Sequence, residues 1–236
     1  MKFYQLIIKT LVTIVFCAAF FTPSLFAEEA QDKIDQMIQN NRAHLKSFFS
    51  LSQTESMRNL LGAARAIFVA PEVTSGGFLL GMQKGEGMLL RRHGKDWSDP
   101  VFMSLSDWNV GLQAGVMESS IIMLIMTDKA TDELISGTDK LSGTGGFALG
   151  TWGLGATGAG GVKGGLEVIT VSTSKGAYLG GVMGDQDISV LQSLNEQAYG
   201  KGYGIVEILS QPGGSLPAAD GIRSDLKEAV IKSWAE

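Results

Sequence analysis

The chain has 236 residues, 44% hydrophobic and 18% charged, a globular balance with length for one domain and a sizeable core. A formal net charge of −5, with no basic run and no RNA-binding aromatic pattern, argues against a nucleic-acid partner. The single cysteine, Cys17, lies near the start, so the rest of the chain holds no disulfide, thiol nucleophile or thiolate metal site.

Residues 1–27 read as a secretory signal peptide. Lys2 and Lys9 give a positive start, Leu11 to Phe21 an apolar stretch, Pro23 and Ser24 a break, and Ala27 a small residue ahead of Glu28 and Glu29. An uncleaved anchor is the competing reading, but the apolar run is shorter than the ~20 residues a spanning helix needs. Val15 and Phe16 stand before Cys17, where a lipoprotein signal requires small residues, so lipidation is not expected. Cleavage near Ala27 leaves residues 28–236 as a single domain with a helical N-terminal extension. Loss of Lys2 and Lys9 takes the formal charge from −5 to −7. The expected location is periplasmic or secreted.

Asp32 to Leu51 has the spacing of an amphipathic helix, with Ile34, Met37, Ile38, Leu45, Phe48 and Phe49 on one stripe. That stripe either packs on a core or lies on a membrane with Phe48 and Phe49 inserted. A second helix is expected through Met57, Leu60, Leu61, Ala64, Ile67 and Phe68, ended by Pro71. Five strand-length apolar runs follow: Gly76–Gly81, Gly87–Leu90, Val101–Leu105, Val110–Val116 and Ile121–Met126. The last is apolar throughout and is expected to be buried on both faces. Asp128 to Ile135 is a short helix capped by Thr127 or Asp128 and ended by Gly137. Glycine dominates from Gly143 to Gly165. Leu166 to Ser172 alternates as a strand, with Ala177 to Met183 a candidate partner. Val190 to Tyr199 reads as a helix, Ile205 to Leu209 as a short strand and Gln211 to Gly214 as a turn. A last helix opens near Pro217, with Ile222, Leu226, Val230, Ile231 and Trp234 on one face. The fold class is α+β: a mostly antiparallel, Gly-rich sheet, with closure toward a barrel one option, flanked by N-terminal helices and a C-terminal helix.

An ordered set of residues resembles the SYLF-domain family of lipid-binding modules. It comprises Pro71 and Val73, Gly76-Gly77-Phe78, Gly81, Gly85-Glu86-Gly87, Trp97-Ser98-x-Pro100, Phe102 and Gly111-x-Gln113-x-Gly115. Ser174-Lys175-Gly176 and Asn195-x-x-x-Tyr199-Gly200 continue it, so the resemblance covers roughly Leu60 to Gly200. The resemblance implies lipid binding, of phosphoinositides in many eukaryotic members and with actin binding in some fungal ones. It implies no catalytic chemistry.

The residues themselves point the same way. Gly153 to Gly158 spells GxGxxG, but the glycines that follow cannot hold the helix a dinucleotide site needs, and no acid stands about twenty residues on. Ser172-x-x-Lys175 and Ser224-x-x-Lys227 match a serine–lysine spacing without its companion motifs, and read as chance. His44 and His93 lie in unrelated segments, and no metal-ligand spacing occurs, so neither a metal nor a cofactor is expected. Glu86 lies between two glycines with no partner acid or base, and the family resemblance implies that it is part of a Gly-Glu-Gly turn with a structural role. Arg91-Arg92-His93-Gly94-Lys95, with Trp97 beyond it, is the compact basic cluster of the chain, on a turn between two strands. It reads either as a solvated turn or as a contact for anionic headgroups, with Trp97 favouring the interface. The expected function is non-catalytic binding of an anionic phospholipid membrane, of phospholipid or phosphoinositide type, through Arg91, Arg92, Lys95, Trp97, Phe48 and Phe49. The alternative is a protein–protein scaffold of the envelope with the same fold and a protein partner. Actin is not an expected partner of an exported chain.

Overall fold

The computed structural model describes residues 28–50, 55–136, 154–159, 168–175 and 186–235. The signal peptide expected over residues 1–27, the strand expected over Ala177 to Met183 and most of the Gly143–Gly165 run lie outside these.

A helix over residues 28–50 (α1) is followed by α2 (Glu55–Ala63). Then come β1 (Ala66–His93), β2 (Asp96–Trp97) and β3 (Val101–Ile125). After α3 (Asp128–Ile135) the strands β4 (Leu154–Ala159), β5 (Val168–Lys175) and β6 (Gln186–Val190) complete the sheet. Helices α4 (Gln192–Tyr199), α5 (Ile205–Leu209) and α6 (Asp220–Ala235) close the chain, with a 3₁₀ turn at Pro217–Ala219 before α6. The fold is α+β.

Every pairing is antiparallel. The order is β2-β1-β3-β5-β4, with β6 also on β3. The sheet is open, which corrects the barrel option: β2 and β4 end it and do not pair with each other. On its far edge β3 pairs with β5 from Glu118↔Lys175 to Ile125↔Val168, and with β6 from Met103↔Val190 to Asp107↔Gln186. One register serves both, because residues 108–117 of β3 are as numerous as the residues 176–185 that link β5 to β6.

The separate short strands expected between Gly76 and Val116 are parts of two long ones. Glycine there does not break the chain into hairpins. Instead the β1–β3 ribbon bends back, so that its two ends meet. A Cβ on Gly85 would come within 2.9 Å of the Glu72 carbonyl, and one on Gly87 would strike the Val69 carbonyl. These glycines permit close backbone approach. Register irregularities at Ala70/Val73 and Phe78/Leu80 accommodate Pro71 and the bend. The second helix also ends earlier than expected, at Ala63. Ala66 to Ala70 pair with Ile121 to Ile125 instead, because that run is buried throughout and its β-branched and aromatic residues suit a strand.

Ile121 to Ile125 are buried on both faces, as the unbroken apolar run requires. Ile122 and Leu124 join Ile67, Val69, Met88, Leu90 and Trp97 in a core covered by α1 and α6. Ile121, Met123 and Ile125 join Phe68, Leu89 and Val101 in a second core covered by α3 and α5. Each such side chain contributes about 1.5–3 kcal/mol on full burial. On α1, Ile34, Met37, Ile38, Leu45 and Phe48 all enter the first core, which favours packing over a membrane-lying helix. On α6, Ile222, Leu226 and Val230 are buried, but Ile231 and Trp234, assigned to the same face, are exposed.

Two local expectations differ in opposite ways. Thr127 caps α3 as expected, its hydroxyl accepting from the Ala130 amide (3.1 Å). Ile205 to Leu209 is a helix, not a strand. Glu207 reaches back to accept from the Gly204 amide (2.5 Å), while Ile208 and Leu209 bury against β3.

Candidate lipid-facing site

The turn at Gly94-Lys95 joins β1 to β2, and Gly94 adopts φ 64° in open space, the left-handed conformation that glycine alone takes without cost. Lys95 is exposed at its tip. The rest of the basic cluster is engaged. Arg91 donates to Asp132 (3.0 Å) and lies 3.4 Å from Asp128, both on α3. Arg65, half exposed, also approaches Asp128 (3.5 Å). Arg92 donates through Nε to the Ala64 carbonyl (2.6 Å) and through Nη1 to the Gly94 carbonyl (2.8 Å). Its guanidinium lies 5.8 Å from the centroid of the Trp234 ring. Burial, and then the positive charge of Arg65, hold the Arg92 pKa below the usual arginine value. His93 Nε2 donates to the Leu209 carbonyl (3.0 Å), and Lys227 of α6 pairs with Asp96 (2.7 Å).

The apolar residues expected at a membrane are not displayed with this cluster. Trp97 is 2% exposed and Phe48 3%, both in the core beneath α1 and α6. Phe49 is half-buried, edge-on to Phe48 with ring centroids 5.5 Å apart. The structure therefore brings Arg91, Arg92 and Lys95 together at one turn and leaves Phe48 and Phe49 on α1. Sequence spacing marks neither Trp234 nor Arg65 for this site: it puts Trp234 on one face with Ile222, Leu226 and Val230, which are buried, and gives no sign of its exposure.

The motif residues behind the family resemblance build a clasp behind the hairpin. Ser98 Oγ accepts from the Arg91 amide (2.9 Å) and donates to the Asp99 carbonyl (2.9 Å). Asp99, buried, accepts from the amides of Gly214 (2.9 Å) and Ser215 (2.7 Å) and from Arg223 of α6. Tyr199 donates to the Pro100 carbonyl (2.5 Å). Asn195 accepts from the Phe102 amide (2.9 Å) and donates to the Phe102 carbonyl (2.8 Å), doubling as an extra strand residue. Glu86 leaves the Gly-Glu-Gly segment to meet Lys33 of α1 (2.9 Å). Each of these residues has an architectural partner.

A family model described as "Ysc84: Las17-binding protein actin regulator" matches residues 106–229, more than half of the chain. The chain belongs to the Ysc84 (SYLF) family. No curated protein and no solved structure matches it. The Ysc84 match takes in Asn195, Tyr199 and Arg223, whereas the basic hairpin precedes it and Ile231 and Trp234 follow it. Membership supports a binding role toward lipid or actin rather than catalysis. No helix among the described residues is long and apolar enough to cross a membrane.

Proposed function

We propose that this Ysc84-family protein is a non-catalytic module that binds the surface of anionic phospholipid membranes, in the envelope or the secreted fraction. The observation that carries this reading is the charge at the hairpin. Arg65, Arg91, Arg92, Lys95 and Lys227 gather there against Asp96, Asp128 and Asp132, a local positive excess on a chain of net charge −5. Near an anionic surface each unneutralised cation contributes about 1 kcal/mol, within a Debye length of ~8 Å at physiological salt.

Sedimentation with phosphatidylglycerol-containing vesicles tests it. Binding is expected to such vesicles, to be absent with phosphatidylcholine alone, and to fall as salt rises. Arg91 and Arg92 hold the fold, so charge is best removed at exposed positions. Arg65→Gln with Lys95→Gln should weaken binding by about fivefold to thirtyfold, from ~1 kcal/mol at Lys95 and at most that at Arg65, which shares Asp128 with Arg91. Equal sedimentation of this variant and the wild type would sink the reading. Pelleting with filamentous actin in the absence of vesicles would favour the actin activity in the family's description instead.

A further inference from the structure

We infer that Ile231 and Trp234, at the end of α6, are the apolar anchor that enters the bilayer beside the cationic hairpin, a deepening that rests on the lipid reading above. Ile222, Leu226, Ala229 and Val230 of this helix are buried, yet Ile231 is 46% exposed and Trp234 56%. Three residues apart, they share one helix face, and Lys227, which pairs with the hairpin at Asp96, lies one turn earlier on the same side. Trp234 is held in place rather than left to fold inward. Its Nε1 donates to the Gly62 carbonyl (3.2 Å), and the Arg92 guanidinium lies over its ring. Gly62 makes this possible, since Ser233 occupies the place of a Cβ there.

The surroundings fit an anionic bilayer. Arg92 is partly buried beside the positive charge of Arg65, which Asp128 offsets only in part, and a phosphodiester beside Arg92 would offset the rest. Tryptophan settles at the headgroup level of a membrane, with its body apolar and its N–H satisfied. The other exposed large apolar residues among those described are Met82, Tyr203 and Val206; of the exposed set, Trp234 is the one whose ring lies against a cation of the cluster. With Phe48 and Trp97 in the core, α6 supplies the apolar component that the hairpin lacks.

The test is a local one on the full chain. Cys17→Ser with Ile231→Cys allows an environment-sensitive fluorophore to be attached at position 231. Vesicles of phosphatidylcholine with a minority of phosphatidylglycerol and a nitroxide-bearing lipid are then added. The expected result is a blue shift and quenching on binding. In parallel, Ile231→Ser should bind about fivefold more weakly at raised salt, from loss of roughly half an isoleucine's burial, with an unchanged melting temperature. Trp234→Ala should weaken binding more, although it also frees Arg92. Sedimentation without quenching, or wild-type affinity in Ile231→Ser, overturns the anchor and leaves the lipid reading intact. An emission shift that follows protein concentration without vesicles also overturns it, because a second copy would then cover this face. No sedimentation at all removes the lipid reading and the anchor with it.

Discussion

Asp99 and Arg223 show what the residue scale demands. Their side chains are 5% and 12% exposed, and the carboxylate also receives two backbone amides. Removing one partner of a buried pair strands the other charge, at a cost of about 3–5 kcal/mol. Arg223→Met should thus destabilise toward the lower end of that range, since the amides remain, and Asp99→Asn added to it should recover part of the loss. Urea unfolding of the single and double variants checks this. Tyr199, next to the same carboxylate, titrates out of the ordinary range. Burial first, and then the negative charge of Asp99, hold its hydroxyl well above the usual tyrosine pKa. A pKa raised on folding contributes stability that is complete below the unfolded value of ~10 and declines as pH rises past it. The tyrosinate absorbance of the native protein near pH ~10 should therefore be the same in Tyr199→Phe as in wild type, while the unfolded variant shows the loss of one tyrosine among four.

Elements differ in how plainly the residues announce them. The first and last helices, the Thr127 cap and the doubly buried Ile121–Ile125 run were legible, because periodicity and capping chemistry are local. The long strands were not. Glycine serves both turns and close packing, and which it serves depends on what lies opposite, here Val69 and Glu72 for Gly87 and Gly85. Gly87→Val should accordingly destabilise by several kcal/mol, since the obstacle is backbone that cannot rotate away, whereas Gly214→Ala, with nothing within 4 Å, should be nearly neutral. Thermal melts of the pair separate a packing glycine from a permissive one. Ile205 to Leu209 failed for a related reason: a run with three β-branched residues among five forms a helix because Glu207 caps it and Ile208 and Leu209 bury on one side. At the site, the cationic turn was legible as a charge cluster. Its apolar companion was not, because Ile231 and Trp234 share a helix with the core residues Ile222, Leu226 and Val230, and Trp97, the aromatic nearest in sequence, is buried.

At the scale of the molecule, β3 is the partition between two cores. Ile122 faces one and Met123 the other. Ile122→Asp and Met123→Asp should each cost several kcal/mol, because either charge is desolvated without a partner. Both variants should melt in a single transition at lower temperature, since the two layers share their central strand. A variant that lost one layer and kept the other would show two. The first core also joins the two ends of the described chain: Arg42 and Lys46 of α1 meet Asp225 of α6 at 2.5 and 3.5 Å. Ile222, Leu226, Ala229 and Val230 roof a sheet whose central strand ended at Ile125. At about 5–20 residues per second, a ribosome delivers that roof on the order of 5–20 seconds after the strand. Throughout that interval one oily side of the sheet has α1 but not α6 to cover it. The nascent chain is thus kept from its native state by its own layout until α6 is made, a window in which a holding chaperone or a transport channel would find it still open.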